Sequence, residues 1–172
     1  MNNFATIIEV QTLPKVTYYT VKLTLSGIEN METEFKQFIL NLKSNSSVRS
    51  HYSDLQAWLT QRIGYDKGAV ESYFRIEKKA TALPPRYSNV LVGNKKNPIR
   101  LYCFRVNKNI VVLFNGGIKI ENKAQDCPNV SQHFESANKI AKGIEKCLSD
   151  GTLRVSEDKM KLFFKTEFKI SL

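Results

Sequence analysis

The sequence has no apolar run approaching the ~20 residues that cross a bilayer. Its opening, MNNFATIIEVQ, lacks the basic-then-apolar build of a secretion signal. Both absences set the expectation of a cytoplasmic protein that does not engage a membrane. Cysteine is scarce, with three residues, Cys103, Cys127 and Cys147. Their spacing fits neither a zinc site nor a CxxC redox pair, so free thiols in a reducing compartment are expected. Histidine is scarcer still: His51 and His133 stand far apart and no HExxH occurs. There is no Walker A sequence, no GxGxxG and no GxSxG, which removes the common nucleotide-binding and serine-hydrolase signatures. Acidic residues are rare in the middle of the chain, with three between positions 71 and 125. That poverty argues against a carboxylate metal centre, and neither metal nor cofactor is expected.

What the middle has instead is positive charge. Residues 71–125 carry 11 Lys+Arg against 3 Asp+Glu, a balance of +8, whereas residues 1–70 carry 7 against 6 and residues 126–172 carry 8 against 7. Nearly all of the net +10 is therefore concentrated in one third of the sequence. Cations borne on strands rather than on a loose tail suggest a surface built to meet a polyanion. The plainer alternative is a solvated sheet face that happens to be basic.

Periodicity outlines the fold. Residues 4–10 and 17–25 alternate with period two and predict an N-terminal hairpin. Ile28, Met31, Phe35, Phe38, Ile39 and Leu42 predict a helix with Asn30 as its cap. Tyr52, Leu55, Trp58, Leu59 and Ile63 predict a second, stopped at Gly64. A strand is expected over Ile99–Val106, then a tight turn at Asn107–Asn109 and an apolar strand over Ile110–Phe114. Asn115-Gly116-Gly117 interrupts that strand, as a bulge or a close backbone approach does. Phe134, Ala137, Ile140, Ala141, Ile144, Cys147 and Leu148 predict a long helix ended by Gly151. The tail alternates again and predicts a closing hairpin. The expected class is α+β, a twisted antiparallel sheet with helices packed on one side.

The chemistry left to such a chain is that of Arg, Lys and Tyr on a sheet. Arginine forks match phosphate oxygens and lysine supplies a mobile charge. Aromatic rings among cations can stack bases. RNA carries its own nucleophile, the 2′-OH, so a protein need only align it, stabilise phosphorane charge and move a proton.

The segments AVESYFRIEKKATALPP and PIRLYCFRVNKNIVVLFNGGIKIENK, with the helix that follows, give the arrangement a family likeness. In element order and in cations closing the strands, the chain resembles the RelE/ParE superfamily of bacterial toxin–antitoxin toxins, and within it the phage-derived HigB-like branch. The resemblance covers about residues 28–150. It implies one RelE-like α+β domain over 1–172, with N- and C-terminal strand extensions around that core. It also implies a metal-independent endoribonuclease, an mRNA interferase, acting on RNA that includes ribosome-bound mRNA and neutralised by a small acidic antitoxin. Arg100 then matches the arginine that opens the central strand, and Lys119 the cation after the apolar strand. Tyr102, on the same side as Arg100, would stack a base or move a proton. Arg86 would hold phosphate beside Arg100, with Arg105 and Lys123 adding contacts, and Lys95 and Lys96 would steer RNA. The branch usually has two adjacent lysines where this chain has Lys119-Ile120. Two rival expectations stand beside this one: a nucleic-acid-binding module without catalysis, and a partner-binding protein of mobile-element origin whose basic face meets an acidic protein.

Overall fold

A computed structural model describes residues 2–85, 97–119, 128 and 130–172. The fold is α+β, with a mixed, mostly antiparallel sheet and three α-helices among those residues. The strands are β1 (Phe4–Thr12), β2 (Thr17–Leu25), β3 (Ile28–Glu29), β4 (Arg75–Glu77), β5 (Ala80–Leu83), β6 (Ile99–Asn107), β7 (Ile110–Ile118), β8 (Arg154–Val155), β9 (Leu162–Phe163) and β10 (Ile170–Ser171). The helices are α1 (Glu34–Lys43), α2 (Arg49–Ala57) and α3 (Ser131–Asp150). The main sheet runs β10-β1-β2-β7-β6-β5-β4, with β3 hydrogen-bonded to β2; β8 and β9 form a separate small ladder. Within it β2 and β7 run parallel, and Thr17 lies beside Ile110. The N-terminal hairpin is thus built into the middle of the sheet.

Helices cover both faces of this sheet, not one. On one side, Tyr19, Val21, Leu23, Val112 and Phe114 pack under α3 with Phe134, Ile140 and Ile144. On the other, Tyr18, Val111, Leu113, Leu101 and Cys103 pack against Phe38, Leu42, Leu55 and Trp58 from α1, α2 and the segment after them. The reason is visible in β7, where five apolar residues in a row leave neither face fit for water. The alternation of β2 had the same meaning, since Tyr18 on its second face is buried too.

Local chemistry explains where the helices begin and end. α1 starts later than the apolar spacing predicts, because the Thr33 hydroxyl accepts from the Lys36 N–H and caps it. Ile28 and Met31 lie before it, exposed. α2 runs on without a break into a π-helical segment, Trp58–Lys67, so Gly64 does not stop it. Gly64 instead lets the helix press on Leu13, whose Cδ1 lies 2.3 Å from where a β-carbon would stand. The stop is Gly68, at φ 78°. α3 ends as expected, at Gly151 in the left-handed region.

Candidate nucleic-acid interface

The candidate residues gather where β6 begins and β7 ends. Asn107 faces Ile110 across the turn, and past a first irregularity Arg105 to Cys103 on β6 pair with Val111 to Leu113 on β7. A shift of one residue follows, and Leu101 faces Gly116, Arg100 faces Gly117 and Ile99 faces Ile118. The extra residue is the bulge expected at Asn115-Gly116-Gly117. Its cause is steric: a β-carbon on Gly116 would lie 1.8 Å from the Arg100 carbonyl oxygen and 3.1 Å from Leu101 Cα. The close approach is to the neighbouring strand. Asn115 seals the bulge by accepting the Gly116 N–H through Oδ1 at 2.9 Å.

Alternation sorts the side chains by face. Ile99, Leu101 and Ile118 belong to the core beneath α1 and α2. Arg100 and its partner Gly117 therefore point to the α3 face. The Lys119 N–H donates to the Pro98 carbonyl at 2.8 Å, which extends the ladder one step and gives Lys119 the same side as Gly117. Arg100 and Lys119 are thus diagonal neighbours across the strand pair.

Arg100 is 7 % exposed. Its Nη1 donates to the Ile99 carbonyl at 2.7 Å and to the Asn97 carbonyl at 3.3 Å, and so fastens the chain as it enters β6. Tyr102 is fully enclosed, its ring edge-on to Phe134 at a centroid separation of 6.0 Å. No face of that ring is open to a base. Arg105 is half-buried, and its Nε donates to the Ala69 carbonyl at 2.6 Å, tying β6 to the turn after the π-helical segment. Arg86, Lys95, Lys96 and Lys123 lie outside the described residues.

Other cations of the middle third are also engaged. Lys79 pairs with Glu145 of α3 at 2.8 Å, Arg75 approaches Glu77 at 4.0 Å, and Lys78 sits over the Phe134 ring at 5.3 Å. The basic count along the sequence therefore does not translate into one basic face.

Sequence reasoning missed two features. The first is Glu34, in the first turn of α1. It is buried, and desolvation pushes its carboxyl up to about 7 against an opposing hydrogen bond from Asn115. The second is the outer face of α3, where Lys139, Lys142 and Lys146 recur at helical spacing beside a groove of about 690 Å³. Among the described residues these three lysines make no ion pair. The spacing was legible; what hid it was the acidic count of the same third, part of which, Glu135, Glu145 and Asp150, lies on α3 itself.

Cys103, Cys147 and His133 are wholly or partly buried. Cys103 is buried, its thiol pushed up to about 12 by desolvation, and it contacts the Thr81 hydroxyl at 3.3 Å. Cys147 is a half-buried free thiol, and Cys127 lies outside the described residues. His133 is half-buried, and burial lowers its pKa. No cluster of His, Cys, Asp and Glu able to hold a metal occurs among the described residues, and no helix among them is long and apolar enough to cross a membrane. Compared with family models, with curated proteins and with solved structures, the chain gives no match.

Proposed function

We propose that the protein binds RNA on the α3 face of its sheet, at the end where β6 begins and β7 finishes. The observation that carries this reading is the placing of Arg100 and Lys119 on one face of adjacent strands, around the side-chain-free Gly117, in a chain of net charge +10. Arg100 supports the site by shaping the strand entrance, and Lys119 makes the contact. Tyr102 contributes packing and not stacking.

A second reading has one specific support. The same two residues hold the positions that the likeness to HigB-like toxins gives to catalytic cations. In it Lys119 stabilises the charge that develops as the RNA's own 2′-OH loses its proton to water and attacks the adjacent phosphate, the 5′-oxygen leaves with a proton from water to give a 2′,3′-cyclic phosphate and a 5′-hydroxyl, no metal takes part, and a small acidic antitoxin masks the face.

The test is a titration of a labelled single-stranded RNA at rising salt. Binding should weaken linearly on a log–log scale, and Lys119→Ala should make the slope shallower by about 0.7, the loss of one counterion-releasing contact on a single strand. Absence of binding even at low ionic strength would remove both readings. Intact RNA after prolonged incubation, with binding present, leaves the binding module and removes the ribonuclease.

A further inference from the structure

We infer that the groove between α3 and the β10-β1-β2 edge is a track for one strand of RNA, with Lys139, Lys142 and Lys146 as its phosphate contacts. The inference rests on the RNA-binding reading above and gives it an extended surface. α3 packs unusually close to this edge. At Gly143 a β-carbon would stand 2.4 Å from Ile170 Cγ2, and the helix consequently sinks onto β10 and leaves a furrow along its outer side. The three lysines line one flank of it. Leu23, Leu25 and Leu172 contribute apolar surface, and Leu25 is 42 % exposed. Cations beside an exposed apolar surface suit a strand that offers phosphates to one side and sugar and base surfaces to the other.

The place of the groove matches the first site. β2 and β7 run parallel, so Leu25 and Ile118 close their strands at the same end of the sheet. Leu23 belongs to the core under α3, and two residues on Leu25 faces the same way, as Lys119 does. The lysine flank and Lys119 therefore share one face. Asn3, Gln132 and Ser136 line the groove too and supply hydrogen-bonding groups for a 2′-OH, which separates RNA from DNA. Among the described residues its lining carries three lysines against one carboxylate, Glu135, which stands one turn before Lys139, while Asp150, one turn past Lys146, feels the charge of that lysine.

The experiment replaces all three lysines together, Lys139→Ser with Lys142→Ser and Lys146→Ser. The sites are exposed, and a melt by circular dichroism checks the fold. Fluorescence anisotropy with a labelled oligouridylate should show the salt slope shallower by about 2, three contacts at about 0.7 each. A DNA strand of equal length should bind more weakly to the wild type. If the triple variant keeps the wild-type slope while Lys119→Ala does not, the track is overturned and the first site stands. If wild type binds no RNA, the parent reading has fallen and takes the track with it. Equal affinity for DNA overturns the RNA assignment, and tighter binding of an acidic peptide in the same groove overturns the nucleic-acid occupant.

Discussion

Gly116→Ala tests how the sheet is built beneath the site. The new methyl carbon would stand 1.8 Å from the Arg100 carbonyl oxygen and 2.9 Å from its carbonyl carbon. A carbon–oxygen contact relaxes at about 3.3 Å, so β6 and β7 must separate locally by about 1.5 Å. Nothing flexible lies in the way, since the obstacles are backbone atoms. β6 cannot yield alone, because Ile99 and Leu101 are buried on one face and Tyr102 on the other. Separation breaks the ladder at the Arg100–Gly117 and Leu101–Gly116 pairs. Two lost hydrogen bonds with buried groups left unsatisfied cost roughly 3–5 kcal/mol together. For a chain of this size that is a fall in melting temperature of roughly 6–20 °C. Urea unfolding followed through the emission of the single tryptophan, Trp58, measures it directly. Gly151→Ala is the control, because Gly151 has φ 78° but open space around it, and strain alone costs about 1–2 kcal/mol. Equal midpoints for the two variants, or a Gly116→Ala protein within about 1 kcal/mol of wild type, would refute the steric account of the bulge.

Two further outcomes follow from burial. Trp58→Ala should lose on the order of 3–5 kcal/mol, because Trp58 packs on Tyr73 at 5.0 Å inside the α1–α2 core; unchanged melting with lost RNA binding would mean that the ring serves a ligand. Glu34 has its folded pKa raised from an ordinary 4.5 to about 7, so the stability it allows is full below the unfolded value and is lost as pH rises through about 7. Glu34→Gln should therefore stabilise the protein at pH 8 by roughly 3 kcal/mol and flatten the pH profile between pH 4.5 and 7; a variant with the wild-type profile would show the burial to be without consequence.

Most elements of the fold could be read from period and punctuation. The β6–β7 hairpin, the bulge and α3 with its Gly151 stop follow from alternation, a glycine pair and a helical stripe. Three things did not. Thr33 competes with Asn30 for the cap, and the choice is settled by Phe35, whose N–H bonds the Thr20 hydroxyl of β2. Gly64 reads as a terminator, but a partner remote in sequence, Leu13, makes it a packing site inside the π-helical segment. The parallel pairing of β2 with β7 joins residues about ninety positions apart, a separation to which local signals are blind. Both-face burial was present in the five apolar residues of β7, and it outweighs the usual one-sided packing of antiparallel sheets.

The site was less legible than the fold, for a reason that lies in how charge is counted. A tally along the sequence groups neighbours on the chain, whereas a ligand meets neighbours in space. Lys79 counts toward the basic middle third, yet Glu145, 66 residues on, neutralises it. Arg100 and Arg105 count as well, but each spends a donor on a backbone carbonyl. The last third looks balanced, with seven acids against eight cations, and two of those acids, Glu157 and Asp158, fall after α3 in the sequence. In the fold those acids sit in the β8–β9 turn, where Asp158 accepts from Ser156 and Met160, while Lys139, Lys142 and Lys146 stand along α3. Glu135, Glu145 and Asp150 stand on α3 as well, so the excess of positive charge belongs to the groove side alone, where among the described residues three lysines face Glu135. The lysines of α3 outnumber the one carboxylate of their groove, Glu135, and reach solvent, whereas Arg100 and Arg105 are turned to backbone carbonyls, so the lysines are the stronger claim to a polyanion surface than the arginines that first drew notice.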